Sequence, residues 1–218
     1  MSRKKAAVSE MPVGDFKTEQ EQFWEGSFGD EYSGRNQGAD WVASNAILFS
    51  KILARTKKIN SVIEFGANVG LNLHALKQLL PSAAFSAVEI NQAAAQALES
   101  IAGIKVHRQS ILDFVPEEEF DFVLIKGVLI HISPDYLPKV YDLLYKTSRR
   151  YICIAEYYNP SPVEVNYRGH RNRLFKRDFA GEILDRFTNL TLVDYGFAYH
   201  RDRFPQDDIT WFLLEKPV

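Results

Sequence analysis

With 218 residues, 46% of them hydrophobic and 25% charged, the chain has material for one α/β domain with a sizeable core and is cramped for two. Its net charge of -2 lacks the basic surplus of a protein built to grip long nucleic acid, so a small-molecule partner is favoured over nucleic acid. No apolar run approaches the ~20 residues of a membrane helix, and no signal-type stretch follows the basic start Met1-Ser2-Arg3-Lys4-Lys5, so a cytoplasmic protein without membrane attachment is expected. The single cysteine, Cys153 in the apolar run Tyr151-Ile152-Cys153-Ile154-Ala155, excludes an internal disulfide and reads as a buried thiol; no metal site is assigned.

Residues 1–15 are polar and small without an apolar period, and are expected to be disordered or loosely attached. Residues 16–38 carry Phe23, Trp24, Phe28 and Tyr32 among charges and glycines; aromatics this dense are expected to pack on the main domain, residues 39–218, with its ligand as one surface to cover. From Asp40 to about Arg55, Val42, Ala46, Phe49 and Leu53 recur at helical spacing. Strands and helices then alternate: a strand Ser61–Phe65, a turn Gly66–Gly70, a helix Leu71–Leu80 stopped by Pro81, a strand Phe85–Ile90 and a helix Gln92–Ser100. Two more strands follow at Ile104–His107 and Phe120–Ile125. Ser133-Pro134-Asp135 starts a helix, with a serine N-cap, proline at the first position and an acid in the first turn, that runs to about Ser148. A strand Tyr151–Glu156, a loop through Tyr167–Arg173 and a helix Asp178–Phe187 come next. The strands Leu190–Tyr195 and Thr210–Leu214 are joined by a polar loop with no room for a crossover helix. This order predicts a doubly wound, mostly parallel seven-stranded sheet closed by an antiparallel C-terminal hairpin.

The most informative segment is Val62-Ile63-Glu64-Phe65-Gly66-Ala67-Asn68-Val69-Gly70-Leu71-Asn72. Gly66 allows a sharp turn and a close ligand approach. Asn68 tolerates a left-handed backbone, Gly70 admits close packing of the helix start, and Glu64 is placed toward a cationic or hydroxylated ligand. A dinucleotide site asks for G-x-G-x-x-G; here Asn68 and Leu71 stand in two of the glycine places, and the spacing is E-x-G-x-x-x-G. A nicotinamide oxidoreductase is therefore disfavoured. Glu89, at the end of the second strand, is placed to accept hydrogen bonds from ribose hydroxyls, as in either cofactor class.

With these residues and this order of elements, residues 40 to 215 resemble the class I S-adenosylmethionine-dependent methyltransferases. The segments Phe23-Trp24-Glu25-Gly26-Ser27-Phe28-Gly29-Asp30-Glu31-Tyr32, Lys126-Gly127-Val128-Leu129-Ile130-His131-Ile132 and Glu156-Tyr157-Tyr158-Asn159-Pro160 resemble, more narrowly, methylases associated with pseudaminic acid biosynthesis. The resemblance implies S-adenosylmethionine as cofactor, bound at Glu64, Gly66, Ala67, Asn68, Gly70, Glu89 and Ile90. It also implies that Ser110 and Ile111 border the adenine, and that Lys126 and Gly127 flank the methionyl part. Ser110 departs from the acid many relatives carry, which leaves the adenine contact to the Ile111 amide.

On the acceptor side, the polar groups expected beyond the strand ends are Lys126, His131, Glu156, Tyr157, Asn159 and the segment Tyr167–Arg173. His131 suits a general base, or else caps or packs under the following helix. His170 is a second candidate for catalysis. Arg168, Arg171 and Arg173 suit a bidentate clamp on a carboxylate, as an acidic sugar presents, or form a solvated basic face. The loop Ala198–Asp208 either closes over substrate or is a plain hairpin loop. The expected activity is methylation of a small molecule, a nonulosonic sugar or a related glycan precursor. The alternatives are an RNA or protein methyltransferase docking through 168–177, or a non-catalytic cofactor-binding partner. The oligomeric state is not legible.

Overall fold

The computed structural model describes residues 16–35 and 38–217; the expectation for residues 1–15 lies outside them. Seven strands form one sheet: β1 (Ser61–Phe65), β2 (Ala84–Glu89), β3 (Ile104–Arg108), β4 (Phe120–Lys126), β5 (Ser148–Glu156), β8 (Thr191–Ala198) and β9 (Ile209–Glu215), in the order β3-β2-β1-β4-β5-β9-β8. The first five are parallel, and β9 runs antiparallel to both β5 and β8. The predicted architecture is therefore the observed one, and the strand order reverses between β1 and β4. That reversal opens a crevice at the carboxyl ends of the strands.

Strand register divides the core. Val62, Phe122, Leu124, Tyr151 and Cys153 bury one face under α3 (Ala39–Leu53) and α4 (Leu71–Leu79). Ile63, Phe65, Val123, Ile125, Ile152 and Ile154 bury the other under α6 (Leu137–Thr147) and α7 (Phe179–Arg186). Both faces of the central strands are covered, so residues 122–125 of β4 are apolar in succession instead of alternating. Cys153 is buried and free. No helix among the described residues is long and apolar enough to cross a membrane, and no group of acids, histidines and cysteine among them is arranged for a metal ion.

Two segments depart from the sequence reading. The residues expected to be a loop form a hairpin of β6 (Val163–Tyr167) and β7 (His170–Lys176), outside the main sheet. Its turn is Arg168-Gly169, at φ of 51° and 88°, the paired positive values of a two-residue hairpin turn. Arg-Gly is an uncommon occupant of such a turn, but the alternation Val163, Val165, Tyr167 was present in the sequence. The helix expected from Ser133 to Ser148 is split: a 3-10 turn, Pro134–Tyr136, precedes the α-helix, and Ser133 makes no side-chain cap. Pro138 has no N–H to donate and crowds the carbonyl of Pro134, so the first turn cannot be α-helical.

The aromatic N-terminal segment folds as α1 (Glu19–Glu25) and α2 (Ser27–Arg35). The side chain of Thr18 accepts from the Glu21 amide and the Glu21 carboxylate accepts from the Thr18 amide, a reciprocal capping box. α1 and α2 lie across the carboxyl ends of the strands, held on one side by α5 (Gln92–Glu99) and on the other by the β6–β7 hairpin. Asn91, which caps α5 by accepting from the Ala94 amide at 2.9 Å, donates through Nδ2 to Asp30 Oδ1 at 2.8 Å and to the Trp24 and Glu25 carbonyls at 3.3 Å. On the hairpin side, Gln20 donates to the Asn172 carbonyl at 2.9 Å and Arg173 pairs with Glu19 at 3.2 Å.

Candidate active site

A cavity of about 210 Å³ lies beneath α1 and α2 at the ends of β1, β2 and β4. Its floor is the β1–α4 turn. Gly66 (φ 71°) donates to the Val88 carbonyl at 2.8 Å, and a Cβ there would lie 2.4 Å from Val128 Cγ2. Only glycine fits this position: the backbone is left-handed and the space is already filled. Asn68 takes a φ of 48°, the positive value expected of it. Gly70 packs against Leu98 and Ile101, where a Cβ would meet side-chain carbons at 2.7–2.8 Å.

Glu89 forms the next wall. Its Oε2 accepts from the Asn68 amide at 2.7 Å and its Oε1 from the Asn91 amide at 2.8 Å. Burial raises its pKa despite those bonds. The two amides hold the carboxylate still and leave each oxygen with further accepting capacity. Ala67, Ile90, Gln109, Ser110 and Ile111 continue the wall. Ser110 Oγ donates to Glu21 Oε1, so α1 is bonded directly to the loop after β3. Ser33 of α2 donates to the Asn68 side chain at 2.7 Å, which ties the roof to the floor.

Glu64 lies behind this wall and not in it. It is fully buried, accepts from Asn72 Nδ2 at 2.5 Å, and its Oε2 has no partner; burial pushes its pKa up to about 8. Asn72, which does line the cavity, leaves its own Oδ1 unpartnered. Lys126 lines the cavity on the β4 side, and burial lowers its pKa against the pull of Glu64, Asp207 and Glu156. Gly127 (φ 68°) follows it at the cavity edge. Glu156, buried at the end of β5, accepts from the Val128 and Leu129 amides, each at 2.9 Å, and so anchors the turn after β4. Burial brings its pKa to about 7.

Of the two histidines expected to serve catalysis, His131 and His170, only His131 lines the cavity. Its Nδ1–H donates to the Arg173 carbonyl at 2.5 Å, which leaves Nε2 as the unprotonated nitrogen of the neutral ring. Burial drops its pKa to about 4, and the ring lies against Trp24 and Tyr167 at centroid distances of 4.6 and 5.0 Å. His170 is exposed on β7, against Phe23 on the outside of the lid, and is not among the cavity walls.

The expected arginine clamp is likewise not assembled at the cavity. Arg168 and Arg171 are exposed on the hairpin, with Arg168 over the Tyr167 ring. Arg173 is occupied by Glu19 and by the face of Phe23. Tyr157 is half-buried beneath Lys176, and Asn159 donates to the Ser161 carbonyl; neither is a cavity wall. For the arginines the physical reason is the hairpin, which carries them away from the strand ends and turns them toward solvent or the lid. The walls that sequence reasoning left unassigned include Trp41 and Asn45 of α3, Asn72 and Asn91, whereas Asp207 belongs to the loop Ala198–Asp208, for which closing over substrate was one of the two readings. Asp207 is brought in by the β8–β9 loop, whose Gln206 donates to Asn45 Oδ1 at 3.0 Å. The aromatic density of residues 23–32 was a usable signal for Trp24 and Tyr32. Nothing in the local sequence marks the others.

This arrangement is the fold of the class I methyltransferases: a seven-stranded 3-2-1-4-5-9-8 sheet with a glycine turn after β1, an acid after β2 and a reversed terminal hairpin. Solved structures with this fold include the plantazolicin methyltransferase BpumL in complex with a pentazolic desmethylPZN analog and SAH. It is 13% identical over 91% of this chain and 95% of its own, with a TM-score of 0.64. The Burkholderia thailandensis 1,6-didemethyltoxoflavin-N1-methyltransferase, with bound 1,6-didemethyltoxoflavin and S-adenosylhomocysteine, is 17% identical over 97% of this chain and 95% of its own, with a TM-score of 0.68. The magnesium protoporphyrin IX methyltransferase (ChlM) from Synechocystis PCC 6803, with bound SAM, is 12% identical over 94% of this chain and 100% of its own, with a TM-score of 0.62. No family model and no curated protein sequence matches the chain.

Proposed function

We propose that this chain is an S-adenosylmethionine-dependent methyltransferase acting on a small molecule. The observation that carries the reading is Glu89, held rigidly by the Asn68 and Asn91 amides in the wall of a lidded cavity beside a left-handed glycine turn. The cavity fits a sulfonium nucleoside chemically. Glu89 retains acceptor capacity for ribose hydroxyls, Ile90 and Ile111 offer apolar edges to a flat base, and the free Oδ1 of Asn72 is an acceptor for an ammonium group. Gly66, Ala67, Asn68, Ser110 and Gly127 complete the cofactor assignment; Gly70 acts through packing and Glu64 through Asn72.

When bound, the cofactor supplies an activated methyl group, so this chain's residues have to orient an acceptor and exclude water. Trp24, Tyr32 and Trp41 supply the apolar enclosure. His131 is neutral at physiological pH and offers Nε2 as a hydrogen-bond acceptor. It therefore serves better to hold an acceptor hydroxyl or amine than to store its proton. The finer reading, a nonulosonic sugar or related glycan precursor, rests on the three sequence segments that resemble the sugar-pathway methylases; the neighbours of similar fold are named for plantazolicin, 1,6-didemethyltoxoflavin and magnesium protoporphyrin IX. For docking of RNA through 168–177, two of the cations are already engaged, Arg173 by Glu19 and Arg177 by Glu182 at 2.7 Å.

Isothermal titration with S-adenosylhomocysteine tests the cofactor: saturable one-to-one binding is expected, and folded protein that binds neither it nor S-adenosylmethionine rules the reading out. Incubation with methyl-labelled cofactor and a metabolite extract, read by mass spectrometry, then identifies the acceptor. Label appearing in no small molecule, but in RNA or protein, would overturn the small-molecule assignment.

A further inference from the structure

The structure assigns Lys126 as the anchor for an anionic group on a ring-shaped acceptor, an inference that rests on the function proposed above. Lys126 is the only lysine or arginine among the described residues that line the cavity. No hydrogen bond or ion pair is found for its amine among those residues. Glu64, Asp207 and Glu156 stand near enough to favour its charged form, yet none of them accepts a hydrogen bond from it. Glu64, behind the wall, is bonded through Oε1 to Asn72, and Glu156 accepts from two backbone amides through its Oε1; the Oε2 atom of each has no hydrogen-bond partner among the described residues. Glu21 and Glu89, the other cavity acids near the roof and floor, are each bonded to protein groups through both oxygens.

An ammonium kept charged by its neighbours, lining a cavity and with no hydrogen bond of its own, has donors free for an anionic group brought by a ligand. Trp24, Tyr32 and Trp41 face the same cavity and offer flat surfaces on which a sugar or aromatic ring packs. Asp207, the cavity acid with no hydrogen bond of its own among the described residues, lies close enough to Lys126 to raise its pKa, and is available to a hydroxyl or amino group of the same ring. The Glu89, Ser110 and Ile111 wall stands over β2 and β3, whereas Lys126 and Asp207 approach from β4 and β9. The acceptor anchor therefore sits on the other side of the crevice from the nucleoside wall, and not on the hairpin arginines.

The test is titration of probe pairs into protein saturated with S-adenosylhomocysteine: N-acetylneuraminic acid against its methyl ester, and benzoate against benzamide. In at least one pair the acid should bind about tenfold more tightly than its neutral counterpart, the size of one charge-assisted contact. The pair that responds distinguishes a sugar acid from an aromatic acid. Lys126→Met and Lys126→Gln should both erase the preference, with S-adenosylhomocysteine affinity and melting temperature unchanged, and Arg171→Ala should retain it. The assignment is overturned if neither acid is preferred, or if the preference survives in both lysine variants. Loss of S-adenosylhomocysteine affinity in those variants also overturns it, since it would place Lys126 on the cofactor. Failure of the wild-type protein to bind S-adenosylhomocysteine strikes instead at the proposed function itself.

Discussion

At the scale of single residues, two positions make sharp demands. Gly66 combines a φ of 71° with a filled Cβ position, so Gly66→Val adds strain and a clash with Val128 together. A non-glycine residue in left-handed backbone costs about 1–2 kcal/mol before any clash is counted. Gly66→Val should therefore lower stability by at least that amount in urea unfolding and abolish S-adenosylhomocysteine binding; a variant with wild-type affinity would show that the turn is not the cofactor floor. Glu64 makes a demand that depends on pH. Its folded pKa is about 8 against an ordinary 4.5, so the native state keeps a proton that the unfolded chain releases. Its influence on stability is most favourable below pH 4.5 and declines as pH rises toward 8. Glu64→Gln removes that dependence. Relative to wild type, the variant should gain at least ~1 kcal/mol between pH 5 and pH 8, the free energy of about one pKa unit. A difference between the two proteins that stays flat over this range would mean that Glu64 titrates normally.

At the scale of elements, the informative relation is between the lid and the sheet. Asn91 does two jobs with two ends of one amide: its oxygen caps α5 and its nitrogen holds α1 and α2. Asn91→Ala loses both, and cap removal alone costs about 0.5–2 kcal/mol. Asn91→Asp keeps the capping oxygen but turns a second oxygen toward Asp30 and two carbonyls. The aspartate variant should keep most of the thermal stability and yet expose residues 19–35 to limited proteolysis several times faster, whereas the alanine variant should lose both. If Asn91→Asp protects the lid as well as wild type does, the lid is held by its other bonds. The hairpin makes a related point about legibility. Val163, Val165 and Tyr167 already alternate as a strand does, but the Arg-Gly turn lacks the usual hairpin dipeptide, so local chemistry pointed to a loop. What fixes the hairpin is tertiary: Gln20, Glu19 and Phe23 of the lid bond and pack against it.

At the scale of the whole molecule, a ligand that binds between floor and roof should couple the two. At one hundred times its dissociation constant, S-adenosylhomocysteine should stabilise the native state by about 2.7 kcal/mol. That corresponds to a melting-temperature rise of about 5–10 °C for a chain of this size. Hydrogen exchange should slow most in residues 19–33 and 126–132, the roof and the β4 turn. Binding that leaves the exchange of the roof unchanged would separate the lid from the ligand.

The sequence by itself determined the sheet, its doubly wound order, the reversed terminal hairpin, the glycine turn and the acid after β2. These follow from apolar runs, breakers and short-range spacing, which act within one or two elements. Only the tertiary structure decided which polar groups meet. It put His131, Lys126 and Asp207 on one cavity, placed Glu64 behind its wall, and carried His170, Arg168, Arg171 and Arg173 away on a hairpin. Those placements depend on contacts between segments more than 60 residues apart, such as Asn91 with Trp24 and Gln206 with Asn45. No local pattern records such contacts, because their free energy exists only once the sheet has brought the segments together.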